Sequence, residues 1–196
     1  MDYFHGSITG GLRELLPHAS EYSNLKQPLV YLTTNRQLAL HYIWDTDRLG
    51  TIKMPMLDIR ADGTLVFQEM FSGALEYLYK GVSGYIYRCE GNFPLNAHSG
   101  VPSCVTSAEA VAVADCECIE DVYESIFSYA ERGTFVCERY EDLPQWRIDL
   151  IRGNILRFIK RNDLLDNPGH PSRRLIEQKF PQYWKEAQVL SRYGLL

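Results

Sequence analysis

The sequence predicts an α+β fold, and three observations carry that expectation. Short strand-like runs crowd residues 1–115, amphipathic helical runs dominate residues 116–196, and the two do not alternate in the β-α-β rhythm of a doubly wound sheet. At 196 residues the chain is long enough to bury one continuous core without disulfides or metals. The expectation is therefore a strand-rich core over 1–115 and a mostly helical part over 116–196 packed on the same domain.

Taken in order, Asp2-Tyr3-Phe4-His5-Gly6 reads as a first strand broken by glycine. Gly10-Gly11 precedes Leu12, Leu15 and Leu16, whose spacing suits a short helix stopped near Pro17. Pro28 to Thr33 reads as a buried strand. Thr34 or Asn35 can cap a following helix that carries Leu38, Ala39, Tyr42 and Ile43, because a short side-chain oxygen accepts from orphan N–H groups. Asp62-Gly63 lies between the apolar runs of Met54 to Phe71 and signals a hairpin, since both residues tolerate positive φ.

Ala74 to Tyr79 is a short helix ended by Lys80-Gly81, and Gly84 to Cys89 is a strand. Residues 91–104 hold Asn, Pro, His, Ser and Gly and read as a long loop. Val105 and Val111 to Ala114 flank Glu109 in a strand pair or bent strand. Ile119 to Arg132 is an amphipathic helix stopped at Gly133, and Thr134 to Tyr140 a strand. Leu143 to Arg161 is a long helix. A loop follows over 162–171, and Arg173 to Tyr193 is a last helix interrupted near Pro181.

Lys and Arg total 20 against 25 Asp and Glu, a net charge of -5, which excludes a protein that holds nucleic acid by bulk charge but leaves room for a local basic groove. The start MDYFHGS lacks a basic stretch and an apolar stretch, so no secretory signal is expected. No apolar run approaches the roughly 20 residues of a membrane span. With five cysteines, an odd number, the expectation is a reduced cytoplasmic protein. Cys116-x-Cys118 is the close pair, and zinc sites supply a second pair that is missing here, so no metal site is expected.

Gly-x-Gly-x-x-Gly, Gly-x-x-x-x-Gly-Lys, Gly-x-Ser-x-Gly and His-Glu-x-x-His are all missing, which sets aside dinucleotide folds, P-loops, α/β-hydrolases and zincins. His5-Gly6-Ser7 can set a ring nitrogen, a hydroxyl and a closely approached backbone against a ligand, or can be a strand end with a turn glycine. Tyr31 at a strand end and Tyr42 in the next helix can hold a flat heteroaromatic ring between them, or can be two core tyrosines in a chain with 13.

Together, His5-Gly6-Ser7, Val30-Tyr31-Leu32-Thr33 and Ala39-Leu40-His41-Tyr42 resemble the ADP-ribosyltransferase superfamily in its His-Tyr-Glu branch, related to poly(ADP-ribose) polymerases and RNA 2′-phosphotransferases. The chain is also similar to bacterial proteins that begin with a like Tyr-Phe-His-Gly-Ser stretch. The resemblance covers about the first 45 residues well. It implies a split, mixed and antiparallel β-sheet core that binds NAD as substrate and passes ADP-ribose to an unidentified protein or nucleic-acid acceptor with release of nicotinamide. It places His5 on the adenosine ribose, Ser7 or the Gly6 backbone on the nicotinamide amide, and Tyr31 and Tyr42 about the nicotinamide ring, with Thr33 on the small position beside them. It implies catalytic roles for His5, Tyr31 and a glutamate that stabilises an oxocarbenium-like centre. Glu109 is the best candidate for that glutamate, with Glu117, Glu120 and Glu138 as rivals.

Arg147, Arg152, Arg157, Lys160, Arg161, Arg173 and Arg174 form a basic stripe that reads first as the solvated face of two helices and second as a phosphate-binding surface. Two other functions remain open: a non-catalytic nucleotide- or protein-binding module on the same fold, and an RNA 2′-phosphotransferase relative. The second lacks an obvious Arg pair for the RNA phosphate.

Overall fold

A computed structural model describes residues 1–19, 27–49, 57–95 and 103–196. The chain is a mixed α+β protein with three sheets. The largest has five antiparallel strands in the order β7-β3-β1-β6-β9, built from β1 (Asp2–Ser7), β3 (Val30–Thr33), β6 (Gly84–Glu90), β7 (Cys104–Ser107) and β9 (Asp115–Ile119). A second sheet holds β4 (Leu57–Ile59), β5 (Leu65–Gln68) and β10 (Phe135–Glu138), with β10 parallel to β5 and β4 antiparallel to it. A ribbon pairs β2 (Glu14–Leu15) with β8 (Val111–Ala112).

Strand alternation gives the large sheet two buried faces. On one, Tyr3, Val30, Leu32, Tyr87, Cys89 and Val105 pack under Leu15 of β2 and Val111 of β8. On the other lies the main core. It joins Leu38 and Leu40 of α1 (Arg36–Leu40), Leu75 and Leu78 of α3 (Ala74–Tyr79), and Val122 and Ile126 of α4 (Val122–Glu131). It continues through Ile151, Ile155 and Ile159 of α5 (Gln145–Arg161) to α6 (Arg173–Lys179) and α7 (Pro181–Arg192). Helix α2 (Thr46–Leu49) precedes the second sheet.

Helix α1 lies directly on the large sheet because two glycines make room for it. A Cβ on Gly6 would stand 2.0 Å from the Ala39 carbonyl oxygen, and one on Gly84 would stand 2.3 Å from Cγ2 of Ile43. Asn35 is the cap, its side chain accepting from the Leu38 N–H. The helix is shorter than its apolar spacing suggests: it ends at Leu40, and Tyr42 and Ile43 follow in a turn.

Other expectations met the fold unevenly. The hairpin forms about Asp62-Gly63, with Gly63 at φ 86° and its N–H donating to Arg60 O. The helix expected over Leu12 to Leu16 does not form. Its middle is β2, because five residues cannot nucleate a helix against a strand partner that buries Leu15 and leaves Leu16 exposed. Val105 and Val111 sit in strands that pair not with each other but with β3 and β2. The helix expected from Ile119 begins at Val122, capped by Asp121, and the residues before it extend the large sheet as β9. Pro181 breaks the last helix as its first-turn residue. Of the loop expected over 91–104, residues 96–102 lie outside the described residues, as does Met54 of the hairpin run.

His41 follows α1 and is 0% exposed, with Phe67, Tyr79 and Phe135 around its ring. Its Nδ1 donates to Gln37 O at 3.0 Å, and its Nε2 has no partner. The Tyr79 hydroxyl donates to His41 O at 2.9 Å. Desolvation pushes this imidazole down to about 4, against a weaker opposing pull from the Gln37 carbonyl.

Two outcomes follow from this packing. Gly6→Ala forces a methyl onto a backbone carbonyl that cannot rotate away, and should cost on the order of 3 kcal/mol, read as a melting-temperature drop of roughly 6–12 °C. His41 binds its proton more weakly folded than unfolded, so its contribution is complete above pH 6.5 and is lost as pH falls toward about 4. Denaturant titrations across that window should show a loss of about 3 kcal/mol. The loss should shrink in His41→Leu, and an unchanged slope would show that His41 is not the titrating group.

Candidate functional site

The residues singled out in the sequence gather around β1, β3 and the end of α1, and the sheet divides them between its two faces. Phe4 is in register with Thr33, so Thr33 and Tyr31 point to the α1 side, as does Gly6. His5 and Ser7 alternate to the side of Tyr3. Strands β1 and β3 share a single register pair, whereas β1 and β6 share six and β3 and β7 share four. The His5 ring bridges β1 and β3: its Nδ1 lies 2.8 Å from Tyr31 O. A carbonyl oxygen only accepts, so Nδ1 carries the proton and Nε2 is left with its lone pair. Burial holds this imidazole below its usual range, against the Tyr31 bond and aided by nearby His18.

Three members of the set have local duties. Gly6 is taken up by α1: the close approach it permits is that of the Ala39 carbonyl, not of a ligand. The Ser7 hydroxyl accepts from the Thr9 N–H at 3.1 Å. Thr33 is buried, and its hydroxyl accepts from the Asn35 N–H at 3.0 Å and meets the Ser103 hydroxyl at 3.0 Å. That bond ties the exit of β3 to the entry of β7, where Ser103 has φ 61°. Tyr31 is half-buried on β3. Tyr42 is 40% exposed and meets Trp44 edge-on at 6.3 Å. Burial, with a smaller contribution from Cys104, pushes its phenol up to about 12.

Glu109 is exposed, two residues beyond β7. Its N–H donates to the Ser107 hydroxyl at 3.1 Å, and that hydroxyl donates to Glu109 O at 2.8 Å. Val30 is in register with Ser107, so Glu109 stands at the end of the sheet where β3 begins and the antiparallel β1 ends. Among its rivals, Glu117 is held by Arg36, whose Nε donates to Oε2 at 3.1 Å while another of its nitrogens donates to the Tyr129 hydroxyl. Glu138 accepts from Gln68 at 3.1 Å on the second sheet. Glu120 is exposed between β9 and α4.

The sequence reading missed Trp44, although it lies two residues from Tyr42, and it missed the Arg36, Glu117 and Tyr129 group, whose members are 81 and 93 positions apart. Two cavities, of about 240 and 170 Å³, are lined by none of the seven site residues. Much of the basic stripe is committed. Arg152 pairs with Glu186, Arg173 with Glu177 and the Leu164 carbonyl, and Arg147 with Gln68 while stacked on Trp146. No described helix is long and apolar enough to cross a membrane.

His5→Ala leaves the Tyr31 carbonyl without the imidazole N–H and should cost about 1–2 kcal/mol in chemical denaturation. Glu109→Gln, exposed and bonded through its backbone, should change stability by less than about 0.5 kcal/mol. No protein-family model, no curated protein sequence and no solved structure matches this chain.

Proposed function

We propose that this chain is an ADP-ribosyltransferase-like protein that binds NAD and passes ADP-ribose to a macromolecular acceptor with release of nicotinamide. The observation that carries the reading is the His5 to Tyr31 hydrogen bond, set where β1 and β3 share one register pair. It joins the first two elements of the sequence pattern. It also leaves a neutral imidazole whose Nε2 can accept from a ribose hydroxyl.

Tyr42, at the end of the helix laid over β1, offers a part-exposed ring to a flat heteroaromatic group. In the reaction, the bond between nicotinamide and ribose stretches toward an oxocarbenium-like centre, and the Glu109 carboxylate supplies the opposing charge. The split sheet of that superfamily is part of the same proposal, supported by the two larger sheets and the sparse β1 to β3 pairing. The free thiols of Cys89, Cys116, Cys118 and Cys137 support a reducing, cytoplasmic setting.

The exposure of Glu109 favours a second reading, a module on this fold that binds a nucleotide without turning it over. The arginines already tied to carboxylates and carbonyls weigh against an RNA 2′-phosphotransferase.

Incubation of the pure protein with NAD separates the two readings. Nicotinamide release that falls about 10²–10³-fold in Glu109→Gln, with Tyr42→Ala weakening NAD binding, is the expected result. An NAD-induced rise in melting temperature without release assigns the binding module. The absence of both release and thermal shift overturns the NAD reading altogether.

A further inference from the structure

Cys116 and Cys118 belong to neither the core nor the proposed nucleotide site. They sit on β9, the end strand of the large sheet, which pairs with β6 and has no strand on its other side among the described residues. Cys116 is in register with Tyr87 and Cys118 with Tyr85, so both thiols leave the same face of the strand. Both are exposed and neither is in a disulfide, and the Cys116 thiol lies against the Tyr87 hydroxyl. The intervening Glu117 points to the opposite face, where Arg36 holds it.

Residues two apart on a strand lie about 6.6–6.8 Å apart at Cα, with nearly parallel Cα–Cβ bonds. A disulfide needs its Cβ atoms within about 3.5–4.5 Å, so this pair resists closing on itself. The sulfurs, one bond further out and free to rotate toward one another, can straddle a single ion. A third ligand is not at hand: among the described residues no group of three His, Cys, Asp or Glu could hold a metal. The Tyr87 hydroxyl is engaged, donating to Thr9 O at 2.7 Å and accepting from the Leu12 N–H at 3.3 Å.

We propose that Cys116 and Cys118 form a two-coordinate thiolate site for a soft monovalent cation of the copper(I) class. Two thiolates and no third donor fail the tetrahedral demand of zinc but match an ion that accepts linear coordination and prefers sulfur. On binding, each thiol gives its proton to solvent and forms one sulfur–metal bond. Two protons leave per ion and no electron is transferred.

The test is anaerobic titration of the reduced chain with copper(I), supplied as its acetonitrile complex against a coloured copper(I) chelator. One equivalent per chain is expected to be held. Cys116→Ser and Cys118→Ser should each weaken it at least tenfold without changing the melting temperature, since both residues are exposed, and Cys137→Ser should leave it intact. Copper held equally well by the double serine variant, loss of the ion in Cys137→Ser, or zinc held as tightly as copper would each overturn the assignment.

Discussion

Most of what is distinctive here depends on how closely α1 approaches the large sheet. A helix that packs on a sheet through ordinary side chains stands well clear of the strand backbone. In this chain the Ala39 carbonyl reaches the space a Gly6 side chain would fill, and Ile43 reaches the space above Gly84. Leu38, Ala39, Leu40 and Ile43 are consequently buried almost completely. The next residues out inherit their positions from that contact. His41 is turned into the aromatic cluster of Phe67, Tyr79 and Phe135, and Tyr42 is left part-exposed beside Trp44. A small residue at 6 thus sets the placement of a ring 36 positions later.

Two histidines, both kept neutral by burial, show different uses of one chemistry. His41 has one nitrogen satisfied and one without a partner, surrounded by apolar rings, so its proton affinity reports on the integrity of the core. His5 sits between β1 and β3 and spends its N–H on the Tyr31 carbonyl, at the point where the pairing of those strands runs out. The ring there adds a bond between the two strands while keeping an acceptor nitrogen. Arg36 performs a comparable bridging job with charge, tying the start of α1 to Glu117 on β9 and to Tyr129 on α4.

The helical part completes the core and does more than cover it. Strand β10, from beyond residue 130, lies parallel to β5, and Ile151, Ile155 and Ile159 of α5 enter the same apolar cluster as Leu38 and Leu40 of α1. Arg147, Arg152 and Arg173 are drawn into contacts with neighbouring side chains and carbonyls. A stripe of positive charge in the sequence is thereby largely a set of bonds between helices and the second sheet.

Local chemistry is legible in the sequence. The Asp62-Gly63 hairpin, the Asn35 cap, the Pro181 break and the α5 periodicity each depend on a few neighbouring residues, and each appears where the residues place it. The grouping of His5 with Tyr31 was legible as a spaced pattern. What failed was whatever depended on a distant partner. Leu12 to Leu16 carries helical spacing, yet β8, almost a hundred residues away, draws Leu15 into a strand. Gly6 reads as room for a ligand, and only the packing of α1 shows that the room is occupied by a carbonyl. The same holds for Cys116 and Cys118: sequence shows two thiols two apart, while the register with Tyr85 and Tyr87 shows that they share a face. By itself the sequence determined turns, caps and the α+β class, because these follow from local dihedral preference and periodicity. The pairing of strands, the face each side chain takes and which polar groups are already satisfied were decided by the tertiary structure, because those depend on what arrives from elsewhere in the chain to compete for the same space and the same hydrogen bonds.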